Sequence, residues 1–182
     1  MDNIDNVLKA TEIITADYGL TMSPKRITVS SVGVKNKLKR FLDESKCHVA
    51  ISMHTPFAEQ RQSIMPAEKA MPIGEIIDLL KQYDFSGQRR LSFEYTLFGG
   101  FNTSKAHAKA VVNLLKDLEC RVNLIRYHKI PGEEFSEPTP QEIDFFMNYL
   151  NARGVTTTLR ASRGQDILAA CGLLSTAKNN EA

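Results

Sequence analysis

Short apolar segments separated by helix-length stretches are the feature that most restricts the fold of this chain. Five such segments are predicted as strands, at residues 26–30, 48–54, 90–97, 121–127 and 155–159. Helical periodicity is predicted at residues 4–18, 35–44, 57–82 (with breaks at Pro66 and Pro72), 103–117, 141–152 and 165–174. Strands that are joined through helices pair in parallel, so the predicted fold class is α/β. The apolar strands further predict that helices or barrel contents cover both faces of the sheet, in a partial barrel or an open doubly wound sheet.

Composition restricts the class of protein but not its activity. The 182 residues favour one domain, with a core at 1–174 and a polar tail at 175–182. The net charge of +2 neither requires nor excludes an RNA partner. Apolar stretches such as residues 76–80 are far shorter than the roughly 20 residues of a membrane-spanning helix. With no signal peptide at the first residues, we expect a cytoplasmic protein.

The chain has three cysteines, Cys47, Cys120 and Cys171, and they lack the spacing of a metal site. Their odd number indicates free thiols in a reducing compartment, and no metal ligands are predicted. Cys47 and Cys120 stand at the starts of predicted strands, and we expect them to pack as small buried hydrophobic residues. Cys171 has two interpretations: a packed helix residue, or an accessible thiol whose thiolate is favoured by the nearby Arg160 and Arg163.

Polar side chains collect at the predicted carboxyl ends of the strands, where α/β proteins place their sites. Ser30 stands at the end of the first strand, and Ser52 and His54 stand at the end of the second. Ser52 and His54 are two residues apart, so a strand projects them to the same side. They are suited to bind a hydroxyl, carboxylate or ring nitrogen of a ligand, or alternatively to cap a loop.

Glu94 is a carboxylate inside an otherwise apolar strand. A buried charge without a partner is costly, so this residue is predicted either to have a function or to form an ion pair. The candidate partners in an ion pair are Arg26, Arg90 and Arg121 on neighbouring strands.

Several strings together resemble the RlmN/Cfr family, the radical S-adenosylmethionine enzymes that methylate adenosine in 23S ribosomal RNA. In chain order the strings are Arg26-Ile-Thr-Val-Ser-Ser, Ala50-Ile-Ser-Met-His-Thr-Pro, Arg61 with Pro66, Phe93-Glu-Tyr-Thr-Leu, Val122-Asn-Leu-Ile, Pro131-Gly132 and Arg163-Gly-Gln-Asp-Ile-Leu-Ala-Ala-Cys-Gly. The resemblance implies an incomplete βα barrel of parallel strands over residues 1–174, which agrees with the predicted rhythm of strands and helices.

The resemblance also implies roles for individual residues. Ser30, Ser52, Met53 and His54 match the residues that bind S-adenosylmethionine, and His128 stands where the family usually has an asparagine that contacts it. Cys171 matches the cysteine that accepts a methyl group from S-adenosylmethionine and presents it to adenine. The implied reaction is methylation of an adenosine of 23S rRNA at C2, with C8 as the alternative position and transfer RNA as a second candidate substrate. The family uses a 4Fe-4S cluster and an electron donor such as flavodoxin.

The chain also departs from the family pattern. Arg126-Tyr127-His128-Lys129 and Leu173 replace the family's usual residues, which weakens the prediction of an identical substrate. The cluster cysteines and the Gly-Glu-Pro string of the family would precede Met1. We therefore expect a segment of a longer protein, unable to hold the cluster or to catalyse the reaction alone, and with exposed apolar edge surface.

Two other functions fit parts of the sequence. One is a non-catalytic RNA-binding remnant of the same barrel, with Lys35, Lys37, Lys39 and Arg40 contacting phosphates, although such a charge run is usually the solvated face of a helix. The other is an unrelated small α/β enzyme with Cys171 as its nucleophile.

Overall fold

The computed structural model describes residues 3–130 and 132–161. The predicted helix at 165–174, Cys171 and the tail at 175–182 lie outside the described residues, as does Pro131.

Helices and strands alternate along the described chain, as the sequence predicts. The helices are α1 (Ile4–Thr15), α2 (Lys35–Glu44), α3 (Ala58–Ile64), α4 (Ile73–Leu80), α5 (Lys105–Leu114) and α6 (Pro140–Asn151). The strands are β1 (Thr28–Ser31), β2 (His48–Ser52), β3 (Leu91–Leu97), β4 (Arg121–Arg126) and β5 (Thr156–Leu159). Short 3₁₀ helices form at Pro24–Arg26 and Pro66–Lys69. Strand β1 begins two residues later than predicted, because the 3₁₀ helix Pro24–Arg26 precedes it. Pro24 is the first residue of that helix and fixes the backbone there.

The five strands form one sheet in the order β1-β2-β3-β4-β5, and every neighbouring pair is parallel. Each strand therefore returns to the same edge through a helical crossover, which is the arrangement of a βα barrel that is not closed. The predicted α/β class and partial barrel are confirmed.

The two faces of the sheet differ sharply. Along β3, Leu91, Phe93, Tyr95 and Leu97 are buried, and the residues between them are half-buried. The buried set joins the core with residues of the helices, such as Phe41 and Phe146, and each such side chain contributes about 1.5–3 kcal/mol. The prediction that both faces are covered is wrong for the described residues: helices cover one face, and the other is concave and polar.

Glu142 in the first turn of α6 connects this helix to the loop that follows β3. Its carboxylate accepts hydrogen bonds from the backbone N–H of Gly100 (2.9 Å) and from the Thr103 hydroxyl, and it completes a capping box with Thr139. Burial acts to raise the pKa of Glu142, but these hydrogen bonds outweigh it and hold the pKa at about 2. The loop after β3 is thereby fixed beside the carboxyl end of the sheet.

Exposed apolar side chains concentrate just before the edge strand β1. Tyr18, Leu20 and Met22 are exposed, with Tyr18 70% accessible. Within residues 3–130 and 132–161, none of the helices combines the length and apolar character needed to cross a membrane.

Candidate functional site

The concave face of the sheet forms a hollow of about 560 Å³, which we call the inner hollow. Its walls come from alternate positions of all five strands, because successive strand residues point to opposite faces. The lining residues are Thr28, Ser30, Ala50, Ser52, His54, Ser92, Glu94, Asn123, Ile125, Thr158 and Arg160. Most of them are polar, so the hollow is suited to a ligand that forms many hydrogen bonds.

Another hollow, of about 410 Å³, lies at the opposite end of the sheet, beside the starts of β4 and β5. It contains Lys116, Asp117, Glu119 and Arg153, which are contributed by loops. The inner hollow is the stronger candidate site, because rigid strands converge there with side chains that the sequence singled out.

Ser30, Ser52 and His54 come together in the inner hollow, as the sequence predicts. Ser52 is the last residue of β2 and lies opposite Glu94 in the strand register, and Ser30 lies opposite Ala50. Ser52 and His54 face the same hollow, in agreement with their two-residue spacing. The three side chains therefore offer two hydroxyls and one imidazole to a ligand.

His54 is held in a single hydrogen-bonding state. Its backbone adopts φ +58°, and its Nδ1 accepts a hydrogen bond of 3.1 Å from the backbone N–H of Thr96. Burial, with a smaller contribution from the positive charge of Arg61, lowers the pKa of His54 to about 4. The ring is neutral at physiological pH with Nδ1 as acceptor, so its hydrogen is on Nε2. His54 thus offers a neutral N–H donor.

Asn102 holds His54 in place, and sequence reasoning missed this residue. It is fully buried, and its side-chain N–H groups donate to the backbone carbonyls of His54 and Thr96, both at 2.7 Å. Its side-chain oxygen accepts from the backbone N–H of Phe98 at 2.8 Å. An asparagine after two glycines and a phenylalanine looks like any loop residue, so the sequence carries no signal for this role.

Arg61 binds backbone carbonyls at the carboxyl ends of both β1 and β2. Its fully buried guanidinium donates to the backbone carbonyls of Val32 (3.2 Å), Ser52 (2.9 Å) and Met53 (3.2 Å). It also forms an ion pair with Glu68, which is itself buried. This single side chain therefore sets the spacing between the strand ends that carry Ser30 and Ser52.

Met53 is oriented away from the inner hollow. Its side chain is fully buried in the hydrophobic core, while its backbone oxygen accepts from Arg61 and from the N–H of Thr55. A ligand contact from Met53 would thus have to come from its backbone, in contrast to Ser52 and His54.

Glu94 extends a row of polar side chains across the floor of the inner hollow. One of its carboxylate oxygens accepts a hydrogen bond of 2.8 Å from the side-chain amide of Asn123. The oxygen of Asn123 in turn accepts from the hydroxyl of Thr158 at 3.2 Å. In the described part of the chain, no ion pair joins Glu94 to Arg26, Arg90 or Arg121, so the predicted structural alternative is not observed there.

His128 lies two residues beyond β4 and is not among the side chains that line the inner hollow. Its Nδ1 is 3.9 Å from a carboxylate oxygen of Glu137, and its side chain is 17% exposed. The structure therefore places His128 beside Glu137 in the loop that follows β4.

Cys47 and Cys120 are shielded from solvent, Cys47 fully and Cys120 in part, in agreement with the packing role that the sequence predicts for them. Cys47 is buried in the core, and burial raises the pKa of the half-buried Cys120 thiol to about 12. Cys171 lies outside the described residues. Among residues 3–130 and 132–161, no group of three His, Cys, Asp or Glu side chains is placed to hold a metal ion.

Comparisons with known proteins identify relatives over the whole chain. It is 57% identical over 181 residues to a probable dual-specificity RNA methyltransferase RlmN of Bacteroides fragilis, matching 100% of this chain and 53% of that protein. A protein of the same description from Phocaeicola vulgatus is 59% identical over 180 residues, matching 99% of this chain and 52% of the relative. The chain spans about half the length of the curated relatives it matches. No protein-family model matches it.

Solved structures agree with these relatives. A radical SAM methyltransferase from Sphaerobacter thermophilus superposes with a TM-score of 0.88 at 36% identity, over 94% of this chain and 51% of that one. Streptococcus suis SuiB, solved with S-adenosylmethionine bound, shares the fold at a TM-score of 0.60 and 16% identity, over 88% of this chain and 35% of that one. The resemblance to the RlmN/Cfr family predicted from the sequence is therefore confirmed, for a chain of about half the family's length.

Proposed function

We propose that this RlmN-like chain supplies the S-adenosylmethionine pocket of a radical S-adenosylmethionine RNA methyltransferase, and that the pocket is the inner hollow. The observation that carries the proposal is the convergence of Ser30, Ser52 and His54 on one polar concave surface. The name of the Sphaerobacter structure and the names of the curated relatives support the same class of ligand and reaction.

The inner hollow fits S-adenosylmethionine in size and in the chemistry of its donors and acceptors. A volume of about 560 Å³ lies within the usual range for pockets that bind small molecules. The Nε2–H of His54 and the hydroxyls of Ser30 and Ser52 are donors for the carboxylate or the ring nitrogens of the ligand. Arg160 adds a positive charge at the rim, and Glu94 adds a negative charge on the floor.

The methyl carrier in this proposal is Cys171. Its thiolate attacks the methyl carbon of S-adenosylmethionine, a carbon–sulfur bond forms at Cys171, the bond between the methyl group and the sulfonium breaks, and S-adenosylhomocysteine leaves with that electron pair. We further propose that the methyl group is delivered to C2 of an adenosine in 23S rRNA, with transfer RNA as a second substrate. The proposed location is the cytoplasm, with an electron donor such as flavodoxin.

The cysteines of this chain do not fit an iron–sulfur cluster. Cys47 is buried in the core, and the raised pKa of Cys120 opposes the thiolate that a cluster ligand must supply. The three cysteines of residues 1–182 lie far apart in the sequence and do not have the close spacing of a cluster-binding motif. Any cluster that serves the reaction must therefore be held by other residues than those present here.

The alternative function, a non-catalytic RNA-binding remnant, receives less support. Lys39 pairs with Asp43 at 2.6 Å, and Arg40 pairs with Asp5 at 2.6 Å and with Glu44 at 2.7 Å. These cations of α2 already have carboxylate partners on the surface, so this part of the charge run fits a solvated helix face better than a phosphate-binding stripe.

The proposed pocket is tested by titrating the chain with S-adenosylmethionine and following backbone NMR signals. We expect changes concentrated at Ser30, Ser52 and His54, and a loss of binding of about tenfold or more in Ser52→Ala and His54→Ala. Ser63→Ala, on the exposed side of α3, is the matched control and is expected to bind normally. Changes confined to other surfaces would contradict the pocket. Mass spectrometry of the protein purified from its cells tests the carrier: the peptide with Cys171 is expected to be one methyl group heavier.

A further inference from the structure

A row of four polar side chains crosses the inner hollow at one level of the sheet. Ser52 is paired in register with Glu94, Glu94 with Asn123, and Asn123 with Thr158. Adjacent strands are about 4.8 Å apart, so Ser52 and Glu94 present their side chains next to each other. Glu94 therefore lies beside the residues that the proposed function assigns to the ligand.

The hydrogen bonds of this row are donated from Thr158 to Asn123 and from Asn123 to Glu94. The first is 3.2 Å long, and the second, from the Asn123 amide to Oε1 of Glu94, is 2.8 Å long. Oε2 of Glu94 accepts no hydrogen bond from the residues the structure describes. A half-buried carboxylate is thus held in position through one oxygen and presents the other to the hollow.

We propose that Oε2 of Glu94 accepts hydrogen bonds from the ribose hydroxyls of the adenosyl group bound in the inner hollow. Glu94 is the fourth residue of β3 and lies level with Ser52, the last residue of β2. A carboxylate near the carboxyl ends of parallel strands binds ribose hydroxyls in dinucleotide-binding folds. The hydroxyl of Ser52 beside it both donates and accepts, so the pair is suited to two adjacent hydroxyl groups. This inference rests on the proposed function, because it takes S-adenosylmethionine as the source of the ribose.

Glu94→Gln tests the inference without removing the row. The side-chain oxygen of the glutamine still accepts from the Asn123 amide. Its NH₂ group, a hydrogen-bond donor, then takes the place of Oε2, the acceptor that the carboxylate presents to the inner hollow. The probes are adenosine and 2′,3′-dideoxyadenosine, which differ by the two ribose hydroxyls and lack the amino-acid part of S-adenosylmethionine. We expect the wild-type chain to bind adenosine about tenfold more tightly, and Glu94→Gln to lose that preference.

Two controls complete the experiment. Glu119→Gln makes the same chemical change on an exposed side chain at the opposite end of the sheet, and it is expected to keep the preference for adenosine. S-adenosylmethionine is expected to displace adenosine from the wild-type chain, which places both in one pocket.

The outcomes separate the two proposals. If S-adenosylmethionine binds at Ser52 and His54 but Glu94→Gln keeps the full preference for adenosine, the inference is overturned and the proposed function stands. If Glu94→Gln weakens both nucleosides equally, Glu94 has a structural role and the inference is again overturned. If the wild-type chain binds neither S-adenosylmethionine nor adenosine, both proposals are overturned.

Discussion

The side-chain amide of Asn102 donates a hydrogen bond of 2.7 Å to the backbone carbonyl of His54, across 48 residues of sequence. Its other donor bond, to Thr96, and the bond from Thr96 N–H to Nδ1 of His54 close a small network between the ends of β2 and β3. The left-handed backbone at His54 (φ +58°) costs about 1–2 kcal/mol and persists because this network fixes both its carbonyl and its ring. Asn102 therefore holds together the two strand ends between which Thr96 N–H binds Nδ1 of His54 and leaves Nε2–H for the inner hollow.

Asn102→Asp is expected to destabilise the protein by about 2–4 kcal/mol, because a carboxylate cannot donate and leaves two buried carbonyls unpaired. Urea unfolding measures this change. Amide hydrogen exchange at Thr96 is expected to become faster, because its acceptor on His54 is no longer held.

Asn113→Asp is the matched control, since Asn113 is exposed on α5. Its effect is expected to stay within about 0.5 kcal/mol. Equal stabilities for the two aspartate variants would show that the Asn102 network does not hold the end of β2.

The order of the elements could be predicted from the sequence because burial sets the periodicity of each segment. β3 alternates between core and hollow, and α5 and α6 carry one buried stripe each, so local patterns were sufficient there. The two faces of the sheet could not be assigned correctly. Val49, Ala50 and Ile51 are consecutive apolar residues of β2, and such a run predicts that both faces of the strand are buried in a core. In the structure, Ala50 instead lines the inner hollow.

The candidate site was predictable only where its side chains follow strands directly. The spacing of Ser52 and His54 placed them on one side, and Glu94 stood out as a charge in an apolar strand. Asn102 and Arg61 act through contacts with backbone atoms of β2 and β3 that depend on the tertiary fold. No local pattern encodes such contacts, so these two supports became visible only in the structure.

The stability of the protein is expected to depend on pH through His54. Its pKa is about 4 in the folded state, against 6.5 for an unperturbed histidine, so the unfolded chain binds more protons between these values. The contribution of neutral His54 to the free energy of unfolding is therefore complete above pH 6.5 and is lost as the pH falls toward 4. This loss of stability amounts to about 3 kcal/mol.

His54→Asn isolates this dependence. Asparagine tolerates the left-handed backbone, and its side-chain oxygen can accept from Thr96 N–H as Nδ1 does, but it does not titrate. The unfolding free energy of the wild-type chain is expected to fall by about 3 kcal/mol more than that of the variant between pH 7 and pH 4. Parallel pH profiles would contradict the buried, neutral state of His54.

The ion pair of Arg61 and Glu68 is expected to show strong coupling. Arg61→Met leaves the Glu68 carboxylate buried without its partner and frees three backbone carbonyls, at a cost of about 3–5 kcal/mol. Glu68→Gln leaves the guanidinium charge unpaired, while its side-chain oxygen still accepts from Ile73 N–H.

A double-mutant cycle with these substitutions measures the coupling by urea unfolding. The double variant is expected to lose at least about 1 kcal/mol less than the two single losses added together, because it buries no unpaired charge. Arg61→Lys, which keeps the charge but not the planar fork, provides a milder variant with an intermediate loss. Strict additivity would mean that the two side chains stabilise the strand ends independently.

The two described cysteines are expected to be unreactive and unable to bind iron. Cys47 is 1% exposed and the pKa of Cys120 is about 12, so alkylation by iodoacetamide at pH 8 should be slower by about 100-fold or more than in the urea-unfolded chain. For the same reason, incubation with iron, sulfide and reductant is expected to give no cluster absorption on these 182 residues. Peptide mass spectrometry and the visible spectrum measure the two outcomes. A stable cluster that disappears in Cys47→Ala or Cys120→Ala would show that these thiols become accessible, and would contradict their assignment to packing.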